Sequence, residues 1–329
     1  MDTEDIERTG SRRTEVNLPG SAELYDRWEQ QQWSVADLKV EQDEPRWAEL
    51  KPFVRKELLT ALADLEIGEV SVTQTLSALV DHAPCEEDRI YLCTQMADEG
   101  RHVQFFKQYL LKAVGVTEGE LAPDGELGLA SAYGNIFEPA LREATSRVRE
   151  HDGDREVWYA GVVWYHLITE GVLAAAGLKS LRTFVRMVGG LPALEVGLAN
   201  VTRDETRHLT YGLSAVRAGV VGGYADIITE TYWAGIDTTV EVLVNPRQRA
   251  VTPMIPMALA KRAQQLTGQW DAARDRVVRQ LELVGLGEHR PEADQRFSAA
   301  LERELDRYHE VWDAPHPVRR AEKSGLLSA

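Results

Sequence analysis

Residues 157–178 (VWYAGVVWYHLITEGVLAAAGL) are apolar on nearly every side, and only His166, Thr169 and Glu170 interrupt the run. A helix without a polar face either lies inside a protein or crosses a membrane. A span needs about 20 predominantly apolar residues and is heavily penalised by a carboxylate at mid-depth. The chain has no second run of this kind. The segment is therefore expected at the centre of a helical bundle, with no membrane span. Glu170 then poses a problem, because a buried charge without a partner costs more than a fold can tolerate. Other polar groups must come to meet it.

The rest of the chain is patterned as helix. Long helices are expected near 52–82, 87–114, 155–178, 191–219, 223–244, 255–285 and 292–312, with a shorter one over 135–150. Breaks fall at His82-Ala83-Pro84, Gly115–Gly128, His151-Asp152-Gly153, Gly189-Gly190-Leu191-Pro192 and Gly222-Gly223, where glycine and proline end one helix and release the next. No run alternates apolar and polar residues between turn signals, so strands are not expected. A length of 329 residues with 43% hydrophobic and 27% charged residues suits one large all-α domain. That domain is expected over 21–313, between a mobile polar tail at 1–20 and a loose tail at 314–329.

A net charge of −16 repels phosphate backbones and anionic lipid, which argues against nucleic acid as a partner. Two cysteines, Cys85 and Cys93, are too few for a disulfide framework or a thiolate zinc site. Cys93 is expected as a small buried hydrophobe. The first twenty residues contain no apolar signal-peptide core, and together with the cysteine usage this points to a reducing cytoplasm.

Three more helices carry polar residues on their apolar seams. Over 52–82 the stripe Leu58, Leu62, Leu65, Glu69, Val72, Leu76, Leu79 advances in alternating steps of four and three, with Glu69 where a leucine belongs. Glu66, off that stripe, is expected in solvent. Over 87–114 the seam runs Leu92, Gln95, Glu99, His102, Phe106, Tyr109, Ala113, and over 191–219 it runs Leu198, Val201, Glu205, His208, Gly212, Ala215. In the apolar helix it runs Val163, His166, Glu170, Leu173, Gly177. Each seam carries a glutamate, and two add a histidine three residues later.

Residues three apart share a helix face one turn apart, so Glu99 with His102 and Glu205 with His208 can each grip a cation from one side. Glu69 and Glu170 can bridge or complete the shell. Four carboxylates and two imidazoles from four helices form the donor set of a dinuclear iron or manganese bundle. With 8 His and 53 acidic residues in 329, chance alone supplies about one acid-x-x-His match. The local repeat is closer than that: Asp98-Glu99-Gly100-Arg101-His102 and Asp204-Glu205-Thr206-Arg207-His208 both read D-E-x-R-H on a core seam. His166 is expected as a hydrogen-bonded core histidine rather than a ligand.

Over roughly residues 25–220 these motifs resemble the ferritin-like superfamily, and within it the small subunit of ribonucleotide reductase. Gln32-Trp33-Ser34-Val35-Ala36-Asp37 is similar to that family's entry segment, with Trp33 lying 36 residues before Glu69. The resemblance implies a chain from Trp33 through Asp204 to His102 that orients the imidazole, with Arg101 and Arg207 steadying Asp98 and Asp204. The chain departs from a reductase subunit in three ways. Phe106 stands where the radical-forming tyrosine falls. Glu69 replaces an aspartate common in those subunits. The C-terminus, RRAEKSGLLSA, is not an acidic docking peptide with a relay tyrosine.

A closer resemblance is to the ligand-binding oxidases related to that subunit. It implies a manganese/iron centre (di-iron being the alternative), O2 as co-substrate, a bound long-chain fatty acid, a homodimer and an ether crosslink between a valine and a tyrosine. Val72, three after Glu69, and Tyr165, five before Glu170, occupy those two positions. On a regular α-helix five residues subtend about 140°, so Tyr165 is expected to flank the site rather than share the face of Glu170. The arylamine N-oxygenases resemble the chain less, since their third histidine falls on Val201. A radical-generating subunit and a metal-storage bundle are the remaining alternatives. Gly171, Ala174, Ala175 and Ala176 are expected to line a substrate tunnel.

Overall fold

The structure is a computed structural model and describes residues 17–122, 127 and 133–327. Among them there is helix, turn and coil but no strand. The expected mobile tail at 1–20 falls largely on 1–16, outside the described residues. The break at Gly115–Gly128 falls partly outside them too.

The helices are α1 (Ser21–Gln30), α2 (Glu44–Glu49), α3 (Pro52–Asp81), α4 (Glu86–Tyr109), α5 (Glu118–Leu121), α6 (Glu138–Glu150), α7 (Arg155–Val162), α8 (Ala175–Val188), α9 (Pro192–Val221), α10 (Ala225–Val244), α11 (Pro256–Val284), α12 (Arg290–Trp312) and α13 (Pro317–Lys323). Between α7 and α8 the chain stays helical but widens into a π-helix over Val163–Ala174. The expected helix 155–178 is therefore the first part of a rod that runs on to Val188. It is long and apolar enough by length and composition to cross a membrane, yet 67% of its most apolar window is buried inside the fold.

Local chemistry sets the ends. Asp154 caps α7 by accepting from the backbone of Glu156 and Val157. The rod stops at Gly189, whose φ of +67 suits only a residue without Cβ. Asp43 caps α9 from a distance: its carboxylate accepts from the backbone N–H of Ala193 and Leu194 at 3.2 and 3.0 Å, and Tyr109 donates to it at 3.2 Å.

α3 packs along α4, and the π segment packs against α9 and α10. Two apolar cores result. One gathers Leu58 and Leu62 of α3, Phe105, Phe106 and Tyr109 of α4, Leu178 and Leu181 of α8, and Leu194, Leu198 and Val201 of α9. The other gathers Val72, Leu76 and Leu79, Tyr91 and Leu92, Val162, Val163, Tyr165, Leu167, Ile168 and Val172 of the rod, Tyr211 and Val216, and much of α10 to α13. On α3, α4 and α9 the polar residues lie between the two sets, and on the rod His166, Thr169 and Glu170 lie within the second, near its edge with the first. A slab of buried charge thus separates two dry compartments.

Three expectations are corrected. Residues 317–323 are not a loose tail: α13 packs on α11 and buries Val318 and Ala321, because those residues fall on one helical face. Cys93 is exposed, since α4 turns that side away from the bundle. Glu66 is buried at 6% exposure, because α3 is covered on more than its seam, and burial raises its pKa.

Candidate metal centre

The polar slab brings together all six expected ligands. Glu69, Glu99, His102 and Glu205 place one ligand atom each within 4.8 Å of one another, and so do Glu99, Glu170 and His208. All six are buried. Glu99 belongs to both groups. Its Oε2 lies 3.5 Å from His102 Nδ1 and its Oε1 3.2 Å from His208 Nδ1. Glu205 Oε1 also stands between the imidazoles, 3.2 Å from His102 Nδ1 and 3.6 Å from His208 Nδ1. Glu69 sits on the His102 side at 3.3 Å, and Glu170 on the His208 side at 3.8 Å. Of the two roles open to Glu69 and Glu170, bridging or completing the shell, the geometry fits the second. They occupy the two flanks, and the carboxylate common to both groups is Glu99 of α4.

Four buried atoms at this cluster make no hydrogen bond: Glu99 Oε2, Glu170 Oε2, His102 Nδ1 and His208 Nδ1. Buried polar groups are almost always satisfied, and these four turn inward toward one another. The charges point the same way. Burial pushes the Glu69 carboxyl up to about 8, and burial together with Glu205 drives Glu170 well above its usual range. Burial works against charge on Glu99 too, but the His208 imidazolium beside it prevails and holds it well below. Burial opposes charge on both imidazoles, and the carboxylates around them, Glu69 first for His102 and Glu99 first for His208, raise them well above the ordinary value. Four acids crowded around two imidazoles lack positive charge, and two divalent cations would supply it. The donor set of carboxylate oxygen and imidazole suits manganese and iron.

The outward nitrogens are fixed. His102 Nε2 meets Asp204 Oδ2 at 3.3 Å, and Trp33 Nε1 donates to the same oxygen at 2.7 Å. His208 Nε2 meets Asp98 Oδ2 at 3.1 Å. Arg207 reaches Asp98 Oδ2 at 2.5 Å and Asp204 Oδ1 at 3.0 Å. Arg101 closes the ring by pairing with Asp98 and, at 3.3 Å, with Asp204. These contacts leave each Nδ1 free to face a cation.

Tyr165 departs from the α-helical expectation. Its hydroxyl lies 3.3 Å from the Val72 carbonyl and 3.4 Å from Glu99 Oε1, against the cluster rather than beside it. The cause is the π segment. Bonding of residue i to i+5 brings positions five apart, such as Tyr165 and Glu170, onto a common side. The same segment places His166 as a core histidine: its Nε2 meets Gln95 Oε1 at 3.0 Å, and burial followed by the nearby His208 charge pushes its pKa down to about 3. Gln95 in turn donates to Glu170 Oε1 at 2.7 Å. Gly171 does not line a tunnel. An added Cβ would come 2.2 Å from Gln280 Nε2 and 2.8 Å from Leu209 Cδ1.

Sequence reasoning missed two contributors. Gln95 was visible as a polar residue on a seam. Trp28 Nε1 donates to Asp98 Oδ1 at 2.9 Å. Its only signal was a second tryptophan five residues before Trp33.

No protein-family model matches the chain. Among solved structures it is similar to a variant R2-like ligand-binding oxidase with an aerobically reconstituted Mn/Fe cofactor, at 25% identity and a TM-score of 0.63, over 84% of this chain and 94% of that one. It is similar also to another variant R2-like ligand-binding oxidase with an anaerobically reconstituted Mn/Fe cofactor, at 22% identity and a TM-score of 0.64, over 84% and 92%. The chain thus has the fold of these oxidases.

Proposed function

We propose that this chain is a dinuclear-metal oxidase that reduces O2 and oxidises a C–H bond by two electrons, with manganese and iron as its metals. The observation that carries this reading is the set of four orphaned buried atoms turned inward on Glu99, Glu170, His102 and His208. The oxidases of the same fold are solved with Mn/Fe cofactors, which supports the metal assignment. Bound there, the metal pair supplies the electrons for O2 and the oxidising strength that an unactivated C–H bond demands.

The protein's own groups set the conditions. Glu69, Glu99, His102 and Glu205 would hold one cation, and Glu99, Glu170 and His208 the other, so Glu99 would serve both. The Asp98, Arg101, Asp204, Arg207 ring fixes both imidazoles. The apolar cores on either side would keep bulk water from the centre. Phe106 is buried and has no hydroxyl to hold a radical, which favours an oxidase over a radical-generating subunit.

The first C–H bond attacked is proposed to be on Val72. Val72 is 6% exposed, and the Tyr165 hydroxyl is 3.3 Å from its backbone carbonyl. Ether formation breaks the Tyr165 O–H bond and a Val72 C–H bond and joins oxygen to carbon. Two electrons and two protons pass to O2, and Glu99 Oε1, 3.4 Å away, is placed to take the tyrosine proton. A long-chain fatty acid as ligand and a homodimer are proposed on the resemblance alone.

Aerobic loading of the apoprotein with Mn and Fe tests the reading. It should take up two ions per chain, with anomalous scattering from both metals at the cluster. Fewer than two ions ends the proposal. Peptides joined through Val72 and Tyr165, lighter by two hydrogens, support the ether. Unlinked peptides remove the ether and leave the oxidase standing.

A further inference from the structure

The two imidazoles are held by matching chains of unequal wiring, and both chains start outside the four rods. Trp33 and Trp28 come from the segment that enters the fold, with Trp28 on α1, a helix that lies across α4 and α9. Trp33 reaches His102 through Asp204, and Trp28 reaches His208 through Asp98. Each aspartate takes one indole, one imidazole and both arginines. On Asp98 these divide evenly, Trp28 and Arg101 on Oδ1, Arg207 and His208 on Oδ2. On Asp204 three crowd Oδ2, namely Trp33, Arg101 and His102, while Oδ1 takes a hydrogen bond from Arg207 and has Arg203 Nε 4.0 Å away.

A carboxylate oxygen shared among three donors offers less to each than one shared between two. His208 therefore keeps an acceptor that its indole does not compete for, whereas His102 shares its acceptor with Trp33. An imidazole with a better outward acceptor is a stronger ligand at its inward nitrogen. The two cation positions are thus made unequal by residues that touch neither cation, although their nearest donors match in kind.

We propose that Trp28 is the positioning residue of the His208 half of the centre, as Trp33 is of the His102 half, and that residues 28–33 act as a strap that tunes the two cation positions separately. This rests on the dinuclear reading above. Each indole grips a different aspartate, so the two effects should be independent.

Apoprotein titrated with Co2+, followed by its visible absorption, separates the two positions. Wild-type protein should bind two ions. Trp28→Phe should weaken one of them by about tenfold or more and leave the other within about twofold. In a His208→Ala background, where that position is already lost, Trp28→Phe should have no further effect. In a His102→Ala background its full effect should return. Trp33→Phe should show the mirror pattern. Circular dichroism of each apoprotein checks folding. Should Trp28→Phe fail to fold, benzothienylalanine at position 28 keeps the ring's size and exchanges only the N–H for sulfur. Equal weakening of both ions, or an effect that persists in His208→Ala, overturns the proposal. Wild-type uptake of fewer than two ions overturns the dinuclear reading instead.

Discussion

The D-E-x-R-H rods, α4 and α9, and the π segment between α7 and α8 deliver groups to the same cluster by opposite means. α4 and α9 are regular helices, so Glu99 with His102 and Glu205 with His208 arrive on one face by periodicity alone. The π segment carries no repeat and delivers Tyr165, His166 and Glu170 through an altered winding. Its irregularity is supported from outside. Gln95 ties His166 and Glu170 to α4, and Gln280 donates to the Leu167 carbonyl at 3.1 Å. A regular helix can place a Glu–His ligand pair by itself, whereas this π segment is held by Gln95 and Gln280 from its neighbours.

The largest expected effect tests the regular side. Glu99→Ala should weaken both ions by more than about 100-fold, the upper end for loss of an outer partner, because both groups share Glu99. Glu170→Ala should weaken only the His208-side ion. Isothermal titration of each apoprotein reads both, and equal loss of both ions in Glu170→Ala would break the distinction between shared and flanking carboxylates.

Proton release comes next. Glu69 is raised from 4.5 to about 8 in the metal-free fold, so it is largely protonated at pH 7 and must ionise to bind a cation. Cation uptake at pH 7 should release protons, and the share from Glu69 should fall by about half at pH 8 and fade as the pH rises further. Calorimetry in buffers of different ionisation enthalpy measures it. The sign for stability is the reverse of a salt-bridged acid. With its folded value raised, Glu69 makes the metal-free protein lose stability as pH climbs from about 4.5 to 8.

A smaller effect tests the support of the π segment. Gly171→Ala should cost about 1–3 kcal/mol by denaturant unfolding, since its Cβ would strike Gln280 and Leu209. Smallest of all, Tyr165→Phe should change stability by about 1 kcal/mol or less, because both its hydrogen bonds are long, while abolishing any joined peptide.

Much of the centre was readable before any fold was known. Seam spacing is a local quantity, so Glu69, Glu99, His102, Glu170, Glu205 and His208 could be named from periodicity, and the burial of 157–178 followed from composition. A winding of 3.6 residues per turn misorients Tyr165, and nothing in VWYHLITEGVLA announces a π-helix. Glu66 and Cys93 were misjudged because a helix in a large bundle is covered on more sides, or fewer, than its one apolar stripe implies. The C-terminal segment was read as loose although Val318 and Ala321 seat it on α11, since seven residues are too short a window for periodicity to speak.

Sequence by itself determined the helices, the four acids and two imidazoles, and the need for positive charge among them, because each follows from neighbours a few positions apart. Only the tertiary structure decided that Glu99 is the shared carboxylate, that Tyr165 faces the cluster, and that Trp28 and Trp33 grip different aspartates. Those outcomes depend on how rods distant in sequence pack, and packing energy is summed over contacts that no single stretch of chain contains.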